Sequence, residues 1–212
     1  MDMTLIKQVK ESIDRAYKEE SKLSQAILSI EGMSSPKNRH LLNNLLSYGK
    51  PNYLEIGVWK GSTFASALYG NEIESAYAID NWKEFHEPGL RESFIRNIAL
   101  TGKDYTLIEQ DSFRVNTAKI TNKVDIYFYD GFHSKEASFH ALDYYYDVLA
   151  DEFIYVVDDY DWIDVQAGVQ ESIRCRGLNV KFNIHLRAGE TNDIHSWWNG
   201  IYIAILEKNG CK

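Results

Sequence analysis

The sequence predicts an α/β fold: a three-layer sandwich around a mainly parallel, seven-stranded sheet, with an antiparallel C-terminal edge and helices ahead of the first strand. Three observations carry this reading. Short β-forming runs alternate with amphipathic helical segments between residues 53 and 176, the pattern of right-handed βαβ crossovers. Two further β runs, 179–186 and 200–206, follow with no helix between them, as an antiparallel pair requires. Four consecutive strands end in, or within three residues of, an aspartate: Asp80, Asp111, Asp130 and Asp158. In an open parallel sheet that rim is where ligands sit.

Taken in order, residues 4 to about 30 read as helix, because Leu5, Val9, Ile13 and Tyr17 recur every fourth position and Leu23, Ala26, Ile27 and Ile30 continue an apolar face. This is a packing element or a surface for a homodimer. Ser35 is the expected N-cap of a second helix, with Pro36 in its first turn, running toward Gly49. Residues 1–48 thus form a helical extension, and 49–212 the core of one domain. Strands are expected at 53–56, 75–79, 105–108, 124–129 and 153–157, with helices from Ser62, 88–100, 134–149 and 165–176 between and after them. Tyr144, Tyr145 and Tyr146 divide between core and surface of one such helix.

Composition narrows the function. The hydrophobic share of 44% and charged share of 25% are those of an ordinary globular protein. A net charge of −8 and the lack of a Lys/Arg stripe argue against nucleic acid as a partner. No apolar run reaches the ~18 residues of a membrane span, and the first eight residues lack the apolar core of a signal peptide. Cys175 and Cys211 share no ligand spacing with histidines and read as free thiols. A cytoplasmic protein without membrane contact is the expectation.

The chemistry centres on Tyr53-Leu54-Glu55-Ile56-Gly57-Val58-Trp59-Lys60-Gly61-Ser62-Thr63-Phe64. A buried strand feeds a helix through a two-glycine turn, bringing backbone N–H groups and a positive dipole end to one spot. Gly57 and Gly61 stand four apart, and Trp59 occupies the place of the middle glycine of the dinucleotide fingerprint, which disfavours a nicotinamide oxidoreductase. Asp80 lies about twenty residues beyond the turn, where an acid can accept both hydroxyls of a ribose. Trp82, after Asn81, either covers an adenine face or closes the core. Asp111 and Ser112 stand within reach of an adenine amine, while Ser112 equally suits a helix N-cap. If the strands ending at Asp130 and at Asp158-Asp159 are neighbours, about 4.8 Å apart, their carboxylates converge. Such a cluster raises its own pKa values unless a cation neutralises it, and hard oxygen ligands suggest magnesium. His133, three residues after Asp130, is either a general base or a hydrogen-bonding turn residue. His195, Trp197 and Trp198 either line a substrate pocket or pack the sheet edge.

These residues resemble the metal-dependent O-methyltransferases of the caffeoyl-CoA and catechol type and their bacterial macrocin O-methyltransferase relatives, which are class I enzymes with a Rossmann-like fold. Met33-Ser34-Ser35 looks like their short segment over the cofactor, and Glu55-Ile56-Gly57-Val58-Trp59-Lys60-Gly61-Ser62 is similar to their first motif. Asp80 matches their ribose-binding acid, Asp130 their first metal aspartate and Asp158-Asp159 their metal pair. Ala150-Asp151-Glu152 departs from their Gly-Gly turn, and Asp130-Gly131-Phe132-His133 lacks the lysine of the catechol type, leaving the base open. The resemblance implies S-adenosylmethionine at Met33, Ser34, Glu55, Gly57, Gly61, Ser62, Thr63, Asp80, Asn81, Trp82, Asp111, Ser112 and Asp130. It implies Mg2+ or another divalent ion at Asp130, Asp158 and Asp159, and catalysis by Asp130 and His133 on a small-molecule hydroxyl. The rival readings are a metal-independent N- or sugar methyltransferase and a non-catalytic cofactor-binding scaffold.

Overall fold

The runs richest in β-branched and aromatic residues form one sheet, in the order β3-β2-β1-β4-β5-β7-β6. The computed structural model describes residues 3–85 and 87–209, and Cys211 lies outside them. The strands are β1 (Asn52–Ile56), β2 (Ser75–Asp80), β3 (Thr106–Glu109), β4 (Val124–Tyr129), β5 (Leu149–Val157), β6 (Asn179–Leu186) and β7 (Ile201–Glu207). β1 to β5 pair parallel with one another, and β7 runs antiparallel to both β5 and β6. The helices are α1 (Met3–Tyr17), α2 (Gln25–Leu28), α3 (Pro36–Leu45), α4 (Ser62–Leu68), α5 (Leu90–Ala99), α6 (Lys135–Tyr145) and α7 (Ile163–Cys175). None is long and apolar enough to cross a membrane.

The period-2 alternation of side chains sorts the core into two layers. Tyr53, Ala76, Ala78, Phe128 and Val156 face Val9, Ile13, Leu41, Phe64 and Phe94 from the N-terminal helices, α4 and α5. Their sequence neighbours Leu54, Tyr77, Tyr127, Tyr129 and Val157 face Leu142, Tyr145, Val165 and Val169 of α6 and α7. This is the expected three-layer sandwich.

Strand order reverses between β1 and β4, which opens a crevice beyond their carboxyl ends. Backbone pairing continues one residue past the strands: Gly57 N donates to Ile79 O (3.0 Å), Asp130 N to Ile56 O (2.9 Å) and Asp158 N to Tyr129 O (3.0 Å). Four strand ends are thereby held at one level, and the loops after them share one rim.

Several boundaries differ from expectation. The helix foreseen over residues 4–30 is two, α1 and α2, because Glu19 takes a left-handed φ of +55° and the chain turns back onto α3. There Asn44 Nδ2 donates to Glu20 O (2.9 Å) and Lys22 N to Asn43 Oδ1 (3.0 Å). Ser35 does cap α3, accepting from Asn38 N, with Pro36 as its first residue. α3 ends at Leu45, short of Gly49, and α5 begins at Leu90 rather than Pro88. α6 ends at Tyr145 and passes through a short 3-10 turn into β5, so Ala150-Asp151-Glu152 is strand and not a replaced glycine turn. Tyr145 is buried and Tyr144 partly exposed. Cys175 is an exposed free thiol.

Candidate active site

A cavity of about 520 Å³ lies at the switch point, lined from β1, β2, β3 and β4 by the residues that follow each strand. Its size is ordinary for a site that holds a small organic ligand. Of the residues expected at the cofactor or in catalysis, Met33, Gly57, Asp80, Asn81, Trp82, Asp111, Ser112, Asp130 and His133 form its wall.

Gly57 shows why this turn tolerates no side chain. Its φ is +83°, and a Cβ there would stand 1.8 Å from the carbonyl oxygen of Asp130. The glycine lets the β1 turn touch the β4 turn, so that two ends of the cavity are locked together.

Asp80 has two tasks. Its Oδ2 accepts Trp59 N (2.9 Å) and its Oδ1 accepts Trp82 N (2.7 Å). Both tryptophans sit at positive φ, +41° and +49°, an uncommon and strained state for bulky residues. Trp82 Nε1 closes the link by donating to Trp59 O (2.8 Å). A carboxylate oxygen has more than one lone pair, so Asp80 retains acceptor capacity toward the cavity. Asp111 Oδ1 accepts Phe113 N (3.0 Å), making Asp111, and not Ser112, the cap of the short 3-10 turn at Ser112–Arg114.

Glu55, Gly61, Ser62, Thr63 and Ser34, also expected at the cofactor, do not line the cavity. Glu55 is fully buried, accepting from Tyr53 OH (2.5 Å) and Thr63 Oγ1 (2.6 Å). Burial pushes its carboxyl up to about 8, reinforced by the charge of Asp80 and opposed by the two hydrogen bonds. Gly32 packs on Ser62 so closely that a Cβ would meet its Oγ at 1.9 Å, so the 31–33 segment covers that start of α4. Ser34 accepts from Arg39 Nε (3.0 Å), and Arg39 Nη1 also donates to Leu28 O (3.0 Å) and Ile30 O (2.7 Å). That buried guanidinium, lowered to about 10 by burial, holds the segment that carries Met33 over the cavity.

At the other end, Asp130, His133 and Asp159 bring one ligand atom each within 4.8 Å of one another. Tyr129 OH donates to Phe132 O (2.9 Å) and fixes the loop, and the His133 ring meets Trp162 edge-on at 4.8 Å. Asp159 takes a φ of +53°, which turns the chain as it leaves β5. His133 Nε2 lies 2.5 Å from Asp159 Oδ2 but outside hydrogen-bond geometry, leaving that nitrogen buried without a hydrogen-bond partner. His133, and not Asp158, completes that cluster. Asp158 is nonetheless buried, and its Oδ1 has no partner. Burial and then the charges of Asp158 and Asp159 raise the Asp130 carboxyl well above its ordinary range, and burial and then Asp159 do the same to Asp158. Two carboxylates and an imidazole nitrogen without a hydrogen-bond partner are a set a divalent cation would satisfy.

Sequence reasoning missed two supports. Lys60 bridges Glu31 (3.0 Å) and Glu87 (2.7 Å) and lies over the Trp59 ring (4.4 Å), and its place inside the glycine turn was the available signal. Asn199 donates to Asp159 Oδ1 (2.7 Å) from 40 residues away, which no local pattern announces. The tryptophans near it pack: Trp197 is buried edge-on to Tyr17 (5.0 Å), while His195 is exposed; neither these two nor Trp198 lines the cavity.

Among curated proteins, none matches the chain. Solved structures are similar in fold. A ribosomal protein L11 methylase from Lactobacillus delbrueckii subsp. bulgaricus superposes with a TM-score of 0.57 at 15% identity, over 82% of this chain and 79% of that one. A putative O-methyltransferase from Klebsiella pneumoniae gives 0.52 at 15%, over 98% and 91%. A putative methyltransferase complexed with SAH gives 0.58 at 12%, over 84% of this chain and 50% of that one. Residues 54–160, from the middle of β1 to just past Asp159, match the family model described as a methyltransferase domain. The chain therefore belongs to that family of class I, S-adenosylmethionine-dependent methyltransferases.

Proposed function

We propose that this enzyme methylates a hydroxyl of a small molecule, with a divalent cation held by Asp130, His133 and Asp159. One observation carries the proposal: the cavity that begins at Gly57 and Asp80 ends at Asp130 and His133, so methyl donor and acceptor oxygen share one chamber. S-adenosylmethionine supplies a methyl group on a sulfonium sulfur, which an oxygen takes by in-line displacement, leaving S-adenosylhomocysteine and a proton. A cation at the trio supplies Lewis acidity that lowers the pKa of a hydroxyl beside it.

The chain's own residues do the positioning. Asp80 receives ribose hydroxyls on its remaining lone pairs, Trp82 covers the adenine, and the second oxygen of Asp111 takes the adenine amine. Asp130 stands where the nucleoside and cation ends meet. An imidazole in the ligand set suits Mn2+, Fe2+ or Zn2+ as well as Mg2+. Phe132 and Trp162, both exposed beside His133, offer an apolar rim to the acceptor. That rim and the net charge of −8 favour a small molecule over a nucleic acid. We place the enzyme in the cytoplasm, off the membrane, with α1 the surface of any homodimer.

A second reading has its own observation. Without a cation, the contact of His133 Nε2 with Asp159 Oδ2 at 2.5 Å makes His133 a general base whose imidazolium Asp159 stabilises. The two roles exclude each other at Nε2. Methyl transfer from labelled S-adenosylmethionine to a panel of alcohols and phenols, with and without chelator, decides. Loss with chelator and recovery with Mn2+ or Mg2+ supports the cation. Full activity in chelator sinks it, and His133→Ala is then expected to cost about 10²- to 10⁴-fold.

A further inference from the structure

The β6–β7 loop reaches the cation end of the site through one side chain. Asn199 is buried and every polar atom of its amide is used: Nδ2 donates to Asp159 Oδ1 (2.7 Å) and to Asn192 Oδ1 (3.1 Å), and Oδ1 accepts Asn192 N (2.7 Å). Its backbone is fixed as well, since Asp161 N donates to Asn199 O (2.9 Å) and Tyr160 N to Gly200 O (3.0 Å). Asp161 holds the start of the same loop through Ala188 N (2.9 Å) and the end of β6 through His185 Nε2 (2.7 Å).

The consequence for Asp159 is geometric. At a left-handed φ of +53° its carboxylate has no helix or strand to hold it, yet one oxygen must face His133 and Asp130. Asn199 occupies the other oxygen. A donor on Oδ1 sets the carboxylate plane and leaves Oδ2 alone toward the trio. We infer that Asn199 is a positioning residue: it fixes Asp159 for cation binding and makes the 187–200 loop part of the site. This rests on the cation reading given above. It also accounts for Asn192, which at φ +58° presents both its N–H and its Oδ1 to the Asn199 amide.

The experiment is titration of the purified, metal-free full chain with Mn2+, following free Mn2+ by electron paramagnetic resonance, beside calorimetric binding of S-adenosylhomocysteine without metal. Wild type, Asn199→Ala and Asp159→Ala are compared. Partners that orient metal ligands are typically worth 10- to 100-fold in metal affinity, so Asn199→Ala is expected to weaken Mn2+ binding by about that factor with S-adenosylhomocysteine affinity unchanged. Mn2+ binding at wild-type strength in Asn199→Ala, with Asp159→Ala impaired, overturns the inference and leaves the cation reading intact. Wild type that takes up no Mn2+ overturns both. Should Asn199→Ala also lose S-adenosylhomocysteine binding, which reports the fold, Asn199→Ser is read in its place, because its hydroxyl is too short to reach Oδ1 but keeps a polar loop residue.

Discussion

The two halves of the rim are built on opposite terms. At the nucleoside half, the carboxylates of Asp80 and Glu55 have every oxygen engaged, by Trp59 N and Trp82 N in one case and by Tyr53 OH and Thr63 Oγ1 in the other. At the half around Asp130, where we propose a cation, Asp158 Oδ1 and His133 Nε2 are buried without hydrogen-bond partners, and, after burial, Asp158 raises the pKa of Asp130 while Asp159 raises both. The first half is part of the fold and is complete before any ligand arrives. The second half costs stability. Of this group Asp130 and His133 line the cavity, and residues that cost stability beside a cavity are best explained by what they bind.

The largest effect is expected where the halves touch. Gly57→Ala puts a Cβ 1.8 Å from Asp130 O at a φ of +83°, and no side-chain motion relieves a clash with backbone. A loss of about 4 kcal/mol or more in urea unfolding is expected, with S-adenosylhomocysteine binding lost in whatever stays folded. Near-normal stability in this variant would mean the two turns are not locked together.

Next comes pH. The Glu55 carboxyl is raised from 4.5 to about 8, so between those values the folded chain keeps a proton that the unfolded chain has released. Stability contributed by this group is present below pH 4.5 and is lost as pH rises toward 8. Glutamine resembles the protonated acid, so Glu55→Gln is expected to flatten the decline by at most about 1.4 kcal/mol per pH unit. Parallel stability–pH curves for wild type and variant would show that Glu55 is already ionised in the fold.

What was legible in the sequence follows the same division. β4 and β6 match their predicted limits residue for residue, because strand-forming runs are a local signal, whether the strand is buried as in β4 or half-exposed at the edge as in β6. The acid at each strand end was legible for the same reason, since a strand, its turn and its aspartate are contiguous. The 4–30 helix failed at Glu19, where contacts to Asn43 and Asn44 outweigh a continuous apolar stripe. At the site, Glu55 and Ser62 stand in the glycine-turn motif and Thr63 follows it, but none of the three lines the cavity, and a motif does not say which way a side chain faces. The gathering of Asp159 with Asp130 and His133 follows a turn at φ +53°, and the hydrogen bond from Asn199 comes from a loop 40 residues downstream. Neither is a local property of the chain.

The smallest effect tests the division itself through a pair of matched substitutions. Asp80→Asn keeps the size of the side chain but replaces one acceptor with an N–H₂, so one of the two backbone N–H groups of Trp59 and Trp82 faces a donor. A hydrogen bond to a charged group is worth about 1.5–3 kcal/mol, and a loss toward the lower figure is expected because the loop is partly exposed. Asp130→Asn, of the same size, removes a carboxyl whose ionisation burial, Asp158 and Asp159 oppose. In metal-free buffer it is expected to gain about 1 kcal/mol, read as a raised melting temperature, while methyl transfer falls. Mn2+ should then reverse the order by stabilising wild type and leaving Asp130→Asn unmoved. If both variants lose stability alike without metal, the acids at Asp130 are as well satisfied as the acid at Asp80, and no cation is needed to explain why they stand together.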